Sequence, residues 1–595
     1  MTATHAAGEE LNYMFAHIED DKLVEGPDGS AYDYGGPGDN VYSFIAPVRK
    51  QRPQTQIHRE WVLLVPETPI MYAPSTTLWD RVAECPPVEY KTGYWRVWVS
   101  GPLPAPVPPI DPVSISVFLV PRSQYARLNE ERDKLTDLRV KNIFQRPEKA
   151  PSKGATASTF INDHRSNPIA IGRPKLDDFY HVPISLLHAE FAQFKEDLVS
   201  GALDQELSPL AYRWSKELSG LIEDEKERES KFNELLSDLL DGYKVVKKKI
   251  GSFETGGGID PKDLDLPDLL VKPLLVDVKI EFTQGSCDAV FEIVLCDQEG
   301  VRLILSNDKY KGDWRKTRIP SVLVIHNGPN IQALGAVYLT DQYVEVLSPS
   351  LPLYFSEYDT HSMENLLRFM TALRNLFRSL LKVYKKPNDY ATDSDQVSFP
   401  YPRSYRSSGT TVRFTYIKRV SQIRLVFTAR TEGDQDIIVK FGYGPYGVEA
   451  HQAAAESGFA PALLSHSNLA GGWWMVVMEN LESDFQPCDD VNILEPPCKD
   501  AITECVSKFH KLGFVHGDLR DTNVFVRRKQ DRWQCQLIDY DWAGREGEVV
   551  YPIGVYSTHS VWRPELHLDG QLITSEHDNS TVNEFLRRRT KIIRF

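Results

Sequence analysis

Three stretches carry apolar residues at intervals of three and four: residues 184–198 (ISLLHAEFAQFKEDL), 228–243 (RESKFNELLSDLLDGY) and 363–384 (MENLLRFMTALRNLFRSLLKVY). That spacing predicts amphipathic helices. Elsewhere short β-branched and aromatic runs predict strands. They fall at Trp61–Val65, Tyr94–Val99, Val113–Val120, Leu274–Phe282, Ser321–Ile325, Tyr343–Leu347, Asp436–Phe441 and Met475–Met478. Two polar, Pro-rich stretches interrupt the pattern, QRPEKAPSKGATASTFINDHRSNP and KKPNDYATDSDQVSFPYPRSY. They read as linkers. The expected organisation is a flexible leader (1–44), a β-rich domain (45–145), a linker (146–180), an α/β module (181–385), a second linker (386–408) and an α+β domain (409–595).

Composition narrows this little. With 41% hydrophobic and 25% charged residues, the chain of 595 is an ordinary globular sequence. A net charge of −15 opposes non-specific nucleic-acid binding over the whole surface, while leaving room for a local basic groove. Seven cysteines without a C-x-x-C pair give no disulfide framework or zinc site. With no apolar run long enough for a membrane span, an intracellular protein, cytoplasmic or nuclear, is expected. The terminal RRRTKIIRF reads as a solvated basic tail or a nuclear address.

The chemistry gathers towards the C-terminus. FVHGDLRDTNVFV sets His516, Asp518 and Asn523 in an H-x-D-x-x-x-x-N order, and QLIDYDWAG comes shortly after. Phosphoryl transfer needs a carboxylate at the incoming hydroxyl, a neutral metal ligand nearby and a second carboxylate on the metal. Asp518, Asn523 and Asp539 suit those roles in turn. Asp539 is preferred to Asp541 because it comes directly after Leu537-Ile538 and precedes an aromatic residue, as in D-F-G. Upstream, Lys440 lies on the expected strand Asp436–Phe441, placed to pair the α/β-phosphates. Glu449, opening an Ala-rich helix, is the expected carboxylate holding Lys440, and Glu479-Asn480 the expected hinge to adenine. A lone Asp or Lys is usually a solvated loop residue, but here five stand in order.

Departures are also legible. No G-x-G-x-x-G precedes Lys440; Tyr416–Ser421 stands there instead. Gly517 replaces the arginine of H-R-D. Only 56 residues come after Asp539, without A-P-E, so most of a C-lobe is expected to be missing. The segment resembles a group of fungal protein-kinase-like sequences through HGDLRDTN, LIDYDWAG, YPIGV, Trp-Arg-Pro-Glu at 562–565 and His577-Asp578. The resemblance implies a compact kinase-like fold.

In the middle, Pro267-Asp268 precedes Leu274–Phe282. Strand alternation would put Val276, Val278, Ile280 and Phe282 on one face and Asp277, Lys279 and Glu281 on the other. Asp268 and Asp277 would then hold Mg²⁺ and Lys279 would stabilise developing charge, the pattern of a PD-(D/E)xK nuclease. The plainer reading is a solvated strand face. With QGSCDAVFEIVL and IPSVLVIHNGPNIQALGAVYL, the region resembles the restriction-endonuclease-like module of Crinkler-type effectors. Glu292 stands where that resemblance implies Gln, and Glu234 is a further candidate acid. The combined expectation is an ATP- and Mg²⁺-dependent phosphotransferase acting on a protein hydroxyl. Its alternatives are an Mg²⁺-dependent nuclease acting on DNA under kinase-like regulation, and a nucleotide-binding scaffold.

Overall fold

The structure, a computed structural model, describes strands within residues 13–121, residues 139 and 141–144, and most of residues 150–588. The chain divides into two compact units, Met1–Lys141 and Asn142–Phe595. In the first, Tyr13–Glu19 pairs in parallel with Val117–Pro121, which pairs antiparallel with Trp61–Leu64. Tyr13–Glu19 lies in the stretch expected as a leader; its Tyr-Met-Phe-Ala-His-Ile run has the aromatic and β-branched content of a strand.

The second unit opens with two short helices, Pro151–Gly154 and Ala157–Ser166, inside the stretch expected as a linker. Phe160 is buried and stacks on Phe291 at a centroid distance of 3.8 Å. Helices α1 (Ala189–Ser200), α2 (Ser208–Leu218) and α3 (Glu225–Leu239) come next. Then come strands β1 (Val245–Ile250), β2 (Phe253–Ile259) and β3 (Leu274–Lys279), helix α4 (Ala289–Ser306), strands β4 (Ser321–Asn327), β5 (Asn330–Tyr338) and β6 (Gln342–Val346), and helix α5 (Thr360–Lys385). The sheet order is β6-β5-β4-β3-β2-β1, with β3 and β4 parallel across α4. Parallel neighbours need a long crossover, which α4 supplies. Helix α4 buries Phe291 and Val294 in one cluster with Leu275, Leu323 and Ile325.

Beyond α5, an antiparallel sheet orders β7 (Ser404–Ser407), β8 (Thr410–Arg419), β9 (Val426–Thr431), β10 (Asp436–Tyr443), β12 (Trp473–Glu479) and β11 (Leu463–Asn468) as β7-β8-β9-β10-β12-β11. Helix α6 (Val448–Glu456) connects β10 to β11. A helical part completes the unit: α7 (Pro496–Lys511), the hairpin β13 (Val524–Lys529) and β14 (Arg532–Leu537), and α8 (Ser575–Arg588). Ile502, Val506 and Phe509 of α7 pack with Val524, Val526, Leu537 and Tyr540 and with Val582 and Phe585 of α8.

The two halves of this unit touch at the turn before β12. Trp473 donates its indole N–H to Ser185 (3.1 Å), and the Gly471 N–H donates to Glu196 of α1 (3.0 Å). Gly471 has φ +72°, and a Cβ there would come within 2.8 Å of the Ala192 carbonyl oxygen, so only glycine fits without displacement. Among the described residues no helix is long and apolar enough to cross a membrane.

Candidate functional site

Alternation along β10 turns Ile437, Val439 and Phe441 into the sheet's core and Lys440 to the opposite face. Lys440 is nevertheless buried, because that face looks onto the segment after β14. Its ammonium donates to both Asp539 and Asp541, beneath the rings of Trp474 (5.6 Å) and Tyr446 (6.0 Å). Burial opposes the charged lysine, but the two carboxylates more than offset it and raise its pKa. The same burial would raise Asp539, yet Lys440 and Arg424 hold its carboxyl well below the usual range. For Asp541 burial wins over the pull of Lys440, and with the Asp539 charge beside it the group is pushed up. Asp539 takes φ +73°, a left-handed conformation costly for a residue with a Cβ and typical of functional positions.

Opposite this cluster lies the loop after α7. Asp518 accepts from Arg520 (2.9 Å), Arg563 (2.6 Å) and the Asn523 side-chain amide (3.1 Å), which also donates to the Asp518 carbonyl. His516 is buried and its pKa is lowered by desolvation. Its Nε2–H donates to the Ile538 carbonyl (3.0 Å), leaving Nδ1 to accept the Asp518 N–H (3.3 Å). Behind the loop stands Asp578 of α8, 1% exposed, accepting from the backbone N–H groups of His516 (2.7 Å) and Gly517 (2.8 Å) and bonded to His510 (3.1 Å). Gly517 has φ +79°, and a Cβ would sit 2.8 Å from the Ile573 Cδ1, so arginine there would strain the backbone and displace Ile573.

The structure brings Lys440, Asp518, Asn523 and Asp539 into facing positions, and adds Asp541 as a second partner of Lys440. Glu449 departs from expectation. It is exposed and pairs with Arg545 (3.1 Å), because α6 turns Ala450, His451 and Ala454 inward. His451 stacks on Tyr540 (4.6 Å), and the Gly447 N–H donates to the Tyr540 carbonyl, so the helix start is fixed against the chain after Asp539 with Glu449 facing out. Sequence reading missed Arg424, and it had Arg563 and Asp578 only as members of the motifs Trp-Arg-Pro-Glu and His577-Asp578, without a role. Asp578 also left a local trace: with Val582 and Phe585 it has the i, i+4, i+7 spacing of a buried helix face, where an aspartate is unexpected.

In the middle of the chain, Asp277 and Lys279 share the side of β3 covered by α4, and the expected open face does not exist. Leu274 through Val278 are all buried, since β3 is an interior strand with elements on both sides. Lys279 pairs with Glu292 of α4 (2.6 Å) and Asp277 (3.4 Å). Burial pushes the Asp277 carboxyl up to about 7 despite Lys279, and its Oδ2 is buried without a hydrogen-bond partner. Glu281 lies past the end of β3 and faces Arg228 (3.7 Å), and Glu234 is exposed on α3. Asp268 lies outside the described residues. Among the described residues no three His, Cys, Asp or Glu side chains gather as a metal cage.

Residues 497–548 match the sequence profile of the Lipopolysaccharide kinase (Kdo/WaaP) family. The matched segment carries α7, the His516–Asn523 loop and Asp539, and this part of the chain is kinase-like. Two solved structures are also similar. The Cydia pomonella granulovirus kinase PK-1 shares 15% identity over 29% of this chain and 68% of its own, with a TM-score of 0.23. Vaccinia related kinase 3 shares 15% over 32% of this chain and 69% of its own, with a TM-score of 0.24. No curated protein matches the chain.

Proposed function

We propose that the C-terminal part is an ATP- and Mg²⁺-dependent phosphotransferase that moves the γ-phosphoryl group to a hydroxyl of a protein substrate. The observation that carries this reading is the convergence of Lys440 and Asp539 from one side and Asp518 and Asn523 from the other. The donor set fits a hard divalent cation: Asp539 and Asp541 offer carboxylate oxygens, and Asn523 gives its amide N–H groups to Asp518, while its oxygen, in a long hydrogen bond from the Thr522 hydroxyl (3.4 Å), keeps a lone pair for a ligand. Asp539 and Asn523 would hold Mg²⁺, which when bound neutralises charge on the β- and γ-phosphates. Lys440 binds phosphate oxygens as a buried point charge. Asp518 accepts the proton of the incoming hydroxyl, and Arg520 and Arg563 orient its two oxygens.

The test is thermal unfolding with nucleotide. Saturating Mg-ATP at about 100 times Kd should stabilise the wild type by about 2.7 kcal/mol. Lys440→Met should remove the shift, whereas Glu449→Gln should retain it, since Glu449 faces solvent. A wild type that Mg-ATP leaves unmoved refutes the reading. Transfer assays should offer both protein and sugar hydroxyls, because the matched family is named for a lipopolysaccharide substrate. Binding without transfer to either would favour a nucleotide-binding scaffold.

A second reading, an Mg²⁺-dependent nuclease acting on DNA, has its own support. The order α3-β1-β2-β3-α4-β4 sets Asp277 and Lys279 side by side, with a buried Asp277 oxygen left for a ligand. With Asp268 as the other proposed metal ligand, Mg²⁺-dependent DNA cleavage should be lost in both Asp277→Ala and Lys279→Ala. Cleavage surviving either change ends that reading.

A further inference from the structure

No glycine occurs between Thr410 and Glu432, so the β8–β9 hairpin has no position at which bare backbone closely approaches a polyphosphate. A side chain reaches into that space instead. Arg424, just before β9, sends its guanidinium to Asp539 (3.2 Å) and Asp541 (3.8 Å). Its backbone is fixed from both sides: the Arg424 N–H donates to the Ser421 hydroxyl (3.2 Å), and Arg419 donates to the Arg424 carbonyl (3.1 Å). The Arg424 guanidinium thus faces the two carboxylates that follow β14. Its side chain is 43% exposed, whereas Lys440 is 7% exposed. Lys440 therefore lies at the floor of the cleft and Arg424 at its entrance.

We propose that Arg424 is the phosphate anchor of this site, taking over with one side chain the task that backbone N–H groups of a glycine-rich turn perform elsewhere. This rests on the phosphotransferase reading above. Four cations, Lys440, Arg424, Arg520 and Arg563, face three carboxylates, Asp518, Asp539 and Asp541. The cleft carboxylates are thus already paired with cations, and those cations are what a polyanion would meet. A guanidinium presents paired donors that match phosphate oxygens, and its weak hydration makes exchange of carboxylate for phosphate inexpensive. With Asp539 holding a metal ion, Arg424 would be left beside the phosphates with its charge free to meet them. The side chain then holds the nucleotide by its phosphates and leaves the nucleoside to other contacts.

The experiment is calorimetric titration of the full chain with Mg-ATP, Mg-ADP and adenosine. It compares wild type, Arg424→Gln, Arg424→Lys and Lys418→Gln, an exposed cation on the same hairpin that controls for the general field. Arg424→Gln should weaken Mg-ATP about 10- to 100-fold. Mg-ADP should weaken in the same direction and adenosine should be unchanged. Arg424→Lys should recover part of the loss, and Lys418→Gln should match wild type. Melting curves without nucleotide establish that each variant folds. Unchanged or tighter Mg-ATP binding by Arg424→Gln overturns the proposal while leaving the phosphotransferase reading intact, as does an equal loss in Lys418→Gln. A wild type that binds no Mg-ATP overturns both.

Discussion

Asp518→Asn is expected to lower phosphoryl transfer by about 10²–10⁴-fold, the range for loss of a positioned general base. Mg-ATP affinity should stay near wild type, because in the proposed reaction the carboxylate meets the acceptor hydroxyl and not the nucleotide phosphates. A second effect comes from its neighbours. Arg563 is nearly buried against Asp518, and Arg520 takes the other oxygen. Removing the charge leaves both guanidiniums without their anion, and breaking a buried pair in this way costs about 3–5 kcal/mol. The asparagine keeps one acceptor oxygen, so its loss should fall at the lower end, with Asp518→Ala larger. Single-turnover assays, calorimetry and urea unfolding separate the effects. Transfer at the wild-type rate by a folded Asp518→Asn would remove Asp518 from the chemistry.

Asp578→Ala should destabilise the Asn142–Phe595 unit by about 2–5 kcal/mol. The figure counts two buried backbone N–H groups, those of His516 and Gly517, each left unsatisfied at about 1–2.5 kcal/mol, within the usual range for such groups. Asp578→Asn should cost less, because its amide oxygen still accepts from one of them while its NH₂ opposes the other. The same change loosens the loop that carries Asp518, and misplacement of a reacting group by about 1 Å can cost about 100-fold in rate. In the proposed reaction Asp578 would thus be a positioning residue. A urea midpoint for Asp578→Ala equal to wild type would show that these amides find other partners.

Several parts of the candidate site are readable from the chain alone, for a local reason. Lys440 on a strand, Asp518 and Asn523 in one loop and Asp539 after an apolar pair are each defined by a few consecutive residues. Their relation to the backbone comes from alternation and turn geometry. The helices at 228–243 and 363–384 are legible in the same way, as runs whose period matches a single buried face, whereas the run at 184–198 is broken by the extended backbone of His188 into Ile184–Leu187 and α1. On β3 alternation is a poorer guide: Asp277 and Lys279 share a side, but Val276 and Leu275, on opposite sides, are both buried. An interior strand hides both faces, and no pattern within the strand reports what covers it.

What pairs with what is decided only by tertiary packing. The place of Glu449 at the start of a helix points it to Lys440, yet the rotation of α6 against Tyr540 turns it out to Arg545 and leaves Asp539 and Asp541 with the lysine. Arg424, Arg563 and Asp578 lie 94 residues before, 45 after and 60 after Asp518. Nothing local in an arginine says which carboxylate it will meet, because that depends on how a hairpin, a loop and a helix dock. The amino-acid order alone therefore gave the candidate residue types and the elements that carry them. The electrostatic partners that tune and position them came from packing, since charge acts through space while sequence patterns report only neighbours along the chain.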